Sequence, residues 1–383
     1  MDGHLLWTQF DDAGLAHLRT QLQQWQGQSP ALGLIALVAE TSQGQIPALQ
    51  AVCRELHLPL HGAVFPALVD DATFLNEGVY LLRFDRAPVV RLLPTVPADA
   101  DEAADQLVRA LGPTLTRMTG PDIPTLFMVF DAMLPHIGTV LGQIYSRLKH
   151  KVGYAGVNAG SETFKPIPCL FDGHTLSQGG LLAIVLPPLH GALVRHGYPV
   201  AKSLMRATST QGNRIATLDG KPAFEVYQQV IRQDWGVEVT HENFYDYAVH
   251  YPFGVVTALD VLVRIPVGFL EDQSIVCVGE IAPDSMLKLL RAPSLEDSSC
   301  VTDLTRQLPL PLSPSRPTPL LTFYCAGRRM HFGAQALAEL QDLQAHSAYS
   351  QLVGALTLGE IDSTEACSLG FPRFHNAAIV CVW

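Results

Sequence analysis

Leu320-Leu321-Thr322-Phe323-Tyr324-Cys325-Ala326-Gly327-Arg328-Arg329 is the stretch from which the organisation of this 383-residue chain is read. Leu320 to Tyr324 has the character of a buried strand. It runs out into Cys325-Ala326-Gly327, small residues that allow other backbone or a ligand to come close. Two arginines follow at once. Downstream, Gly333 to Leu343 has helical periodicity, Val353 to Ile361 is a second apolar strand that stops at the carboxylate Glu360, and Asn376 to Trp383 is a last strand entered through His375. Strand ends, and the densest polar chemistry of the chain, gather here.

The same alternation extends through the first half. Leu32 to Ala39 is an all-apolar strand, Ile46 to Leu56 a helix and Leu60 to Leu68 a strand. Gly78 to Phe84 (strand), Asp99 to Leu111 (helix), Thr125 to Phe130 (strand), Ile137 to Leu148 (helix) and Val152 to Ala159 (strand) continue it. Such alternation predicts an α/β fold, mixed parallel and antiparallel sheets flanked by helices, in two layered domains. Asp11 to Gln26, with Leu15, Leu18 and Leu22 at helical spacing, is expected as an N-terminal helical appendage over residues 1–29, followed by domains at 30–190 and 191–383. Lys165 to Phe171 and Gly179 to Leu186 read as antiparallel strands around Asp172-Gly173. In the second half Thr210-Gln211-Gly212-Asn213 reads as a hairpin turn, Pro222 to Ile231 as a Pro-started helix, Asp284 to Leu290 as a helical turn, and Pro309 to Pro319 as a linker or surface loop. No repeat of solenoid period is present.

Composition narrows the function classes. Hydrophobic residues make up 48% and charged residues 16%, enough for sizeable cores. A net charge of −11 without clustered Lys or Arg argues against nucleic acid or an anionic membrane as partner. Met1 to Phe10 does not have the pattern of a signal peptide, and no apolar run is long enough to span a bilayer, so a cytoplasmic location is expected. Seven cysteines at irregular spacing predict neither a disulfide framework nor a zinc site.

Three ordered motifs, the strand into Cys325-Ala326-Gly327-Arg328, the step Gly359-Glu360-Ile361 and the strand entry Phe374-His375-Asn376, resemble the C-terminal half of the FIST proteins, a family of bacterial sensory modules. Gly153-Tyr154-Ala155-Gly156-Val157-Asn158-Ala159-Gly160 and Leu218-Asp219-Gly220-Lys221-Pro222-Ala223 are similar to the family's N-terminal half, with Asn158-Ala159-Gly160 in place of the usual Ala-Gly-Asp. The resemblance implies a sensor of small ligands, amino acids or related metabolites being one class. Some stand-alone family members resemble haem-based nitric-oxide sensors acting on a partner histidine kinase; this chain is expected to be of that stand-alone type, and the resemblance then implies haem as cofactor.

Arg264, Arg328 and Arg329 offer planar donor forks suited to a carboxylate, while Asn158, Cys325, Glu360, His375 and Asn376 complete a candidate ligand site. Cys325 with His375 and Glu360 also has the composition of a thiol hydrolase, against which stands the common case of a small buried cysteine. Haem ligation needs an imidazole facing an apolar slot, and His61, His136, His196, His250 and His375 are the candidates. No metal site is expected, the partner is expected to be a signalling protein, and a homodimer is an open possibility. The glycines of 153–160 lack the Lys-Ser/Thr of a nucleotide loop and are expected to serve close strand packing.

Overall fold

The computed structural model describes residues 1–116, 123–186, 191–199, 202–257, 261–311, 318–363 and 370–382. Its frame is three parallel strand pairs: Gly33–Ala39 with Leu60–Phe65, Thr125–Asp131 with Gly153–Ala159, and Pro319–Cys325 with Gln351–Thr357. Parallel neighbours need a crossover. Helices Ile46–Glu55 and Ile137–Leu148 supply the first two, and Ala326–Phe332 with Gln335–His346 the third. A short hairpin follows each pair: Leu68–Asp70 with Thr73–Leu75, Leu170–Asp172 with Leu176–Ser177, and Glu360–Asp362 with Arg373–His375. The chain then returns antiparallel beside the first strand of the pair, as Val79–Phe84, Leu181–Leu186 and Ile379–Val382, which are flanked in turn by the edge strands Gly3–Trp7, Val89–Leu93 and Ala192–Arg195. One strand order is therefore repeated three times.

The hairpins do not stay in their own sheets. The first pairs with Gln351–Thr357, the second with Leu60–Phe65 and the third with Gly153–Ala159. Three β-sheets are thereby closed into a ring in which each repeat lends its hairpin to another, and the ring interlocks the halves expected to meet near residue 190. Alternation along the strands separates inner from outer packing. Phe127 and Val129 join Leu37, Phe323 and Val380 in one central core. Leu126, Met128 and Phe130 face helices Ala100–Leu115 and Ile137–Leu148, and Leu320, Tyr324 and Leu356 face helices Cys300–Gln307 and Gln335–His346. Between the edge strand Ala192–Arg195 and the third repeat lies an inserted antiparallel sheet with helix Ala223–Trp235, packed on its own core of Phe224, Tyr227 and Phe253.

Several expectations need correction. Residues 1–29 are no appendage: Gly3–Trp7 pairs along Val79–Arg83, and Leu18, Leu22 and Trp25 of helix Asp12–Gln28 are buried in the central core. Leu181–Leu186 pairs with Thr125–Asp131 and Val89–Leu93 instead of with the residues before Asp172. Asp284 to Leu290 contains a strand, Met286–Leu289, held between two others. Of the linker expected over 309–319, residues 312–317 lie outside the described residues. Gly153 to Ala159 is a strand whose glycine permits close packing, as expected.

That glycine has counterparts. Gly62, Gly156 and Gly354 occupy the same position in the second strand of each pair, opposite Ala36, Met128 and Thr322. A Cβ at these positions would lie 2.5, 2.2 and 1.7 Å from the carbonyl oxygen of that partner. Backbone on both sides leaves little room to relax. Alanine at each is expected to destabilise by about 1–3 kcal/mol, with Gly354→Ala the worst. Thermal denaturation of the three variants checks this, and a Gly354→Ala protein as stable as the parent would overturn the close approach.

Candidate functional site

The three repeats meet at three equivalent junctions, each where a lent hairpin lies along a foreign strand. Equivalence is fixed by backbone bonds: Val64, Asn158 and Leu356 donate their N–H to the carbonyls of Cys169, Gly359 and Ala67, at 2.8, 2.8 and 2.9 Å. At the first junction the side chains are Val64 with Leu170 and Ser177, and at another Leu356 with Leu68 and Leu75. The third junction carries Asn158, Glu360 and His375 instead. An architecture that elsewhere closes with five aliphatic residues and one serine here buries an amide, a carboxyl and an imidazole.

The side chains of two of the three, Asn158 and His375, make no hydrogen bond to the described residues. Asn158 is fully buried, and neither its amide nitrogen nor its oxygen makes a hydrogen bond to any described residue. Both ring nitrogens of His375, 2% exposed, are likewise without a hydrogen bond; Nε2 lies 3.6 Å from Asp362 Oδ1, beyond hydrogen-bond range. Glu360 accepts from Thr357 Oγ1 at 2.6 Å and from the Ala378 N–H at 3.3 Å. Burial pushes its pKa up from 4.5 to about 8, so at neutral pH the carboxyl is mostly protonated. Arg373 clamps Asp362 through two bonds, at 3.0 and 2.8 Å. Burial acts to raise the Asp362 pKa, but His375 and Arg373 outweigh it and hold the group ionised. Buried polar groups are ordinarily paired, and each left unpaired costs about 1–3 kcal/mol.

The other expected residues fall into different roles. All five donors of Arg328 are used: Nε and Nη2 bind the Glu339 carboxylate at 2.7 and 2.5 Å, Nη1 reaches the carbonyls of His196 and Ala377, and Nη2 reaches Ser298 Oγ. Arg328 and Glu339 are both 1% exposed. Arg329 pairs with Glu162 at 2.6 Å and lies over the Phe74 ring, tying the third repeat to the first two. Arg264 donates to the carbonyls of Glu280, Val263 and Phe374, and burial lowers its pKa to about 10. Asn376 bonds the backbone of Ile265 and Leu358. Glu339 was not anticipated, since from sequence it is one of several helical carboxylates; its spacing from Tyr324 and Arg328, both bonded to it, is visible only in the fold.

Cys325 Sγ accepts from the Ala377 N–H at 3.1 Å, and burial, followed by the neighbouring Glu360, pushes the thiol pKa well above its usual value. Its counterpart in the second repeat, Asp131, accepts from the equivalent Gly179 N–H at 2.6 Å. Both residues anchor the turn before the last strand. That turn takes a left-handed backbone at Ala377 (φ 58°) and Gly179 (φ 71°), and the thiol's raised pKa disfavours the thiolate that a nucleophile needs.

Of the histidines expected as haem ligands, His196 and His375 stand together, with ring centroids 6.0 Å apart. His136 Nε2 lies 2.9 Å from the Pro97 carbonyl, His196 Nδ1 accepts from the Tyr198 N–H, and His250 Nδ1 faces His331 Nδ1 at 2.6 Å beside a hollow of about 280 Å³. His61 is half-buried on the strand Leu60–Phe65. An apolar cavity of about 930 Å³ exists, but none of the five is among the described residues lining it. None of the five therefore offers an imidazole to that apolar space.

With the site in view, the chain can be compared with known families. The FIST N domain model matches residues 32–221 and the FIST C domain model residues 223–363. The chain belongs to the FIST family. FIST domains are sensory domains of signal transduction that bind small ligands. Comparison with curated proteins gives no match. The FIST C match contains Cys325, Arg328 and Glu360, and the FIST N match contains Asn158, so the polar junction joins residues from both halves.

Proposed function

We propose that this FIST chain senses a small polar molecule at the junction of Asn158, Glu360 and His375 and passes its occupancy to a separate signalling protein. One observation carries the reading: one sister junction closes entirely with Leu356, Leu68 and Leu75, and the other with Val64, Leu170 and a serine, Ser177, that bonds the Leu170 carbonyl, so neither fold nor register demands an amide, a carboxyl and an imidazole at the third. Orphaned amide and imidazole groups are what a hydrogen-bonding ligand would satisfy. With Glu360 protonated, the site offers neutral donors and acceptors beside an ion pair, Asp362–Arg373, which suits amino acids or related small metabolites better than a highly charged ligand. The lent hairpin then couples site to scaffold, because a ligand that binds one seating of Glu360–His375 more tightly shifts the population of that seating. Haem with nitric oxide, acting on a histidine kinase, is the other ligand pair suggested by the family; the placement of the five histidines favours the polar metabolite.

A stability–binding contrast tests the site. Replacing Asn158 by the valine of a sister junction is expected to stabilise the protein by about 1 kcal/mol, because an unpaired buried amide is removed. The same change, or His375→Leu, is expected to abolish the thermal shift given by whichever amino acid or small carboxylate stabilises the parent in a screen. If Asn158→Val lowers stability, or leaves the ligand-induced shift intact, the junction is not the ligand site.

A further inference from the structure

The central cavity is a second site, separate from the polar junction. Its wall is formed by the inner faces of all three sheets, among them Leu37, Leu82, Phe127, Ile184 and Phe323. Protein interiors rarely keep voids much larger than a water molecule, whereas this space holds about 930 Å³ and lies within the range of ligand pockets. Phe127 and Phe323 stack at 5.7 Å in its wall, and Phe65 packs against Phe323 at 6.0 Å. Thr318 and Pro319, where the strand Pro319–Cys325 begins, are among its described lining residues, whereas Cys325, where that strand ends beside Glu360, is not. Leu310, 77% exposed, also lines it, together with Asp2, His4 and the buried Tyr349.

The chemistry of the wall selects the occupant. Along the inner strands the described lining residues are aliphatic or aromatic, so a charged group carried inward would lose its hydration without a partner. The polar and charged lining residues, Asp2, His4, Thr318 and Tyr349, lie outside those inner strands. We propose that the cavity binds one lipophilic molecule, with an uncharged aliphatic or aromatic body inside and at most a single polar group beside His4 and Tyr349. Its position against all three sheets gives such a ligand contact with every repeat at once.

The test uses the full chain and N-phenyl-1-naphthylamine, an uncharged probe that fluoresces in apolar surroundings. Saturable enhancement at one probe per chain is expected, with displacement by dodecan-1-ol and none by glycerol. Ala63→Phe and Val129→Phe both place a ring in the cavity, and each is expected to weaken probe binding at least tenfold. The far-ultraviolet dichroism should be unchanged. Non-saturable enhancement, failure of dodecan-1-ol to displace the probe, or unchanged affinity in a folded filled variant would each overturn the proposal. Displacement from the parent protein needs no variant, so the proposal can fail even if both substitutions disturb folding. Binding that survives Asn158→Val would keep this site distinct from the polar junction.

Discussion

Arg328→Ala is expected to destabilise the protein by about 3–5 kcal/mol, the cost of leaving a buried charge without its partner. Glu339 would lose a bidentate guanidinium and keep only the Tyr324 hydroxyl, which donates to it at 2.6 Å. The carbonyls of His196 and Ala377 would lose their donor as well, loosening the left-handed turn at Ala377. Chemical denaturation measures the loss. The double variant Arg328→Met with Glu339→Leu separates the two contributions, because removing both charges together avoids a stranded carboxylate and should recover much of the stability. A loss below about 1 kcal/mol in Arg328→Ala would mean that water reaches the pair. A fully stable Arg328→Ala protein with weakened ligand binding would return the arginine to the ligand site that its sequence position suggested.

What could be read in advance divides along the range of the interactions. Pro319–Cys325 and Gly33–Ala39 are continuous apolar runs whose local pattern suffices, and helix Asp12–Gln28 has its cap, Asp11, in sequence. The lent hairpins were invisible for a physical reason. Leu68–Asp70 and Thr73–Leu75 are three residues each, too short for periodicity, and their partner Gln351–Thr357 lies far along the chain. Nor did the threefold repetition show, because what recurs is strand order and one glycine, with side chains replaced around them. Cys325 and Asp131 do the same work with unlike chemistry. The motif residues were legible as a set, and Glu360 and His375 do face each other across one strand pair. Their roles were not. An arginine beside a strand end reads as a ligand donor until the fold supplies Glu339, and Asn158, a ligand candidate from sequence, shows how unusual it is only when its two sisters prove to be Val64 and Leu356.

Glu360→Gln is expected to remove a pH dependence of several kcal/mol. In the folded protein burial holds the carboxyl pKa at about 8, against 4.5 for the ordinary group. The folded state therefore binds this proton more tightly than the unfolded chain does. The resulting stability is fully present below pH 4.5 and declines as pH rises, until above about 8 the fold must hold a buried carboxylate. At about 1.4 kcal/mol per pH unit the full decline is roughly 4–5 kcal/mol. Cys325, Arg328 and His375 surround the carboxyl, and elsewhere His61, His250 and His331, whose pKa values burial lowers, act in the opposite direction on acidification. The comparison must be made between parent and variant at each pH, where shared contributions cancel. Urea denaturation from pH 5 to 8.5 should show the two proteins close in stability at the acid end and the glutamine variant gaining steadily toward the alkaline end. A parent–variant difference that does not change with pH would show that Glu360 keeps an ordinary pKa, and with it would go the neutral character assigned to the junction. Ligand binding supplies the complementary sign: a molecule that donates hydrogen bonds to Glu360 favours the carboxylate and lowers its folded-state pKa, so its presence should make the parent's decline smaller and end it at lower pH, and should leave the shape of the glutamine variant's profile unchanged.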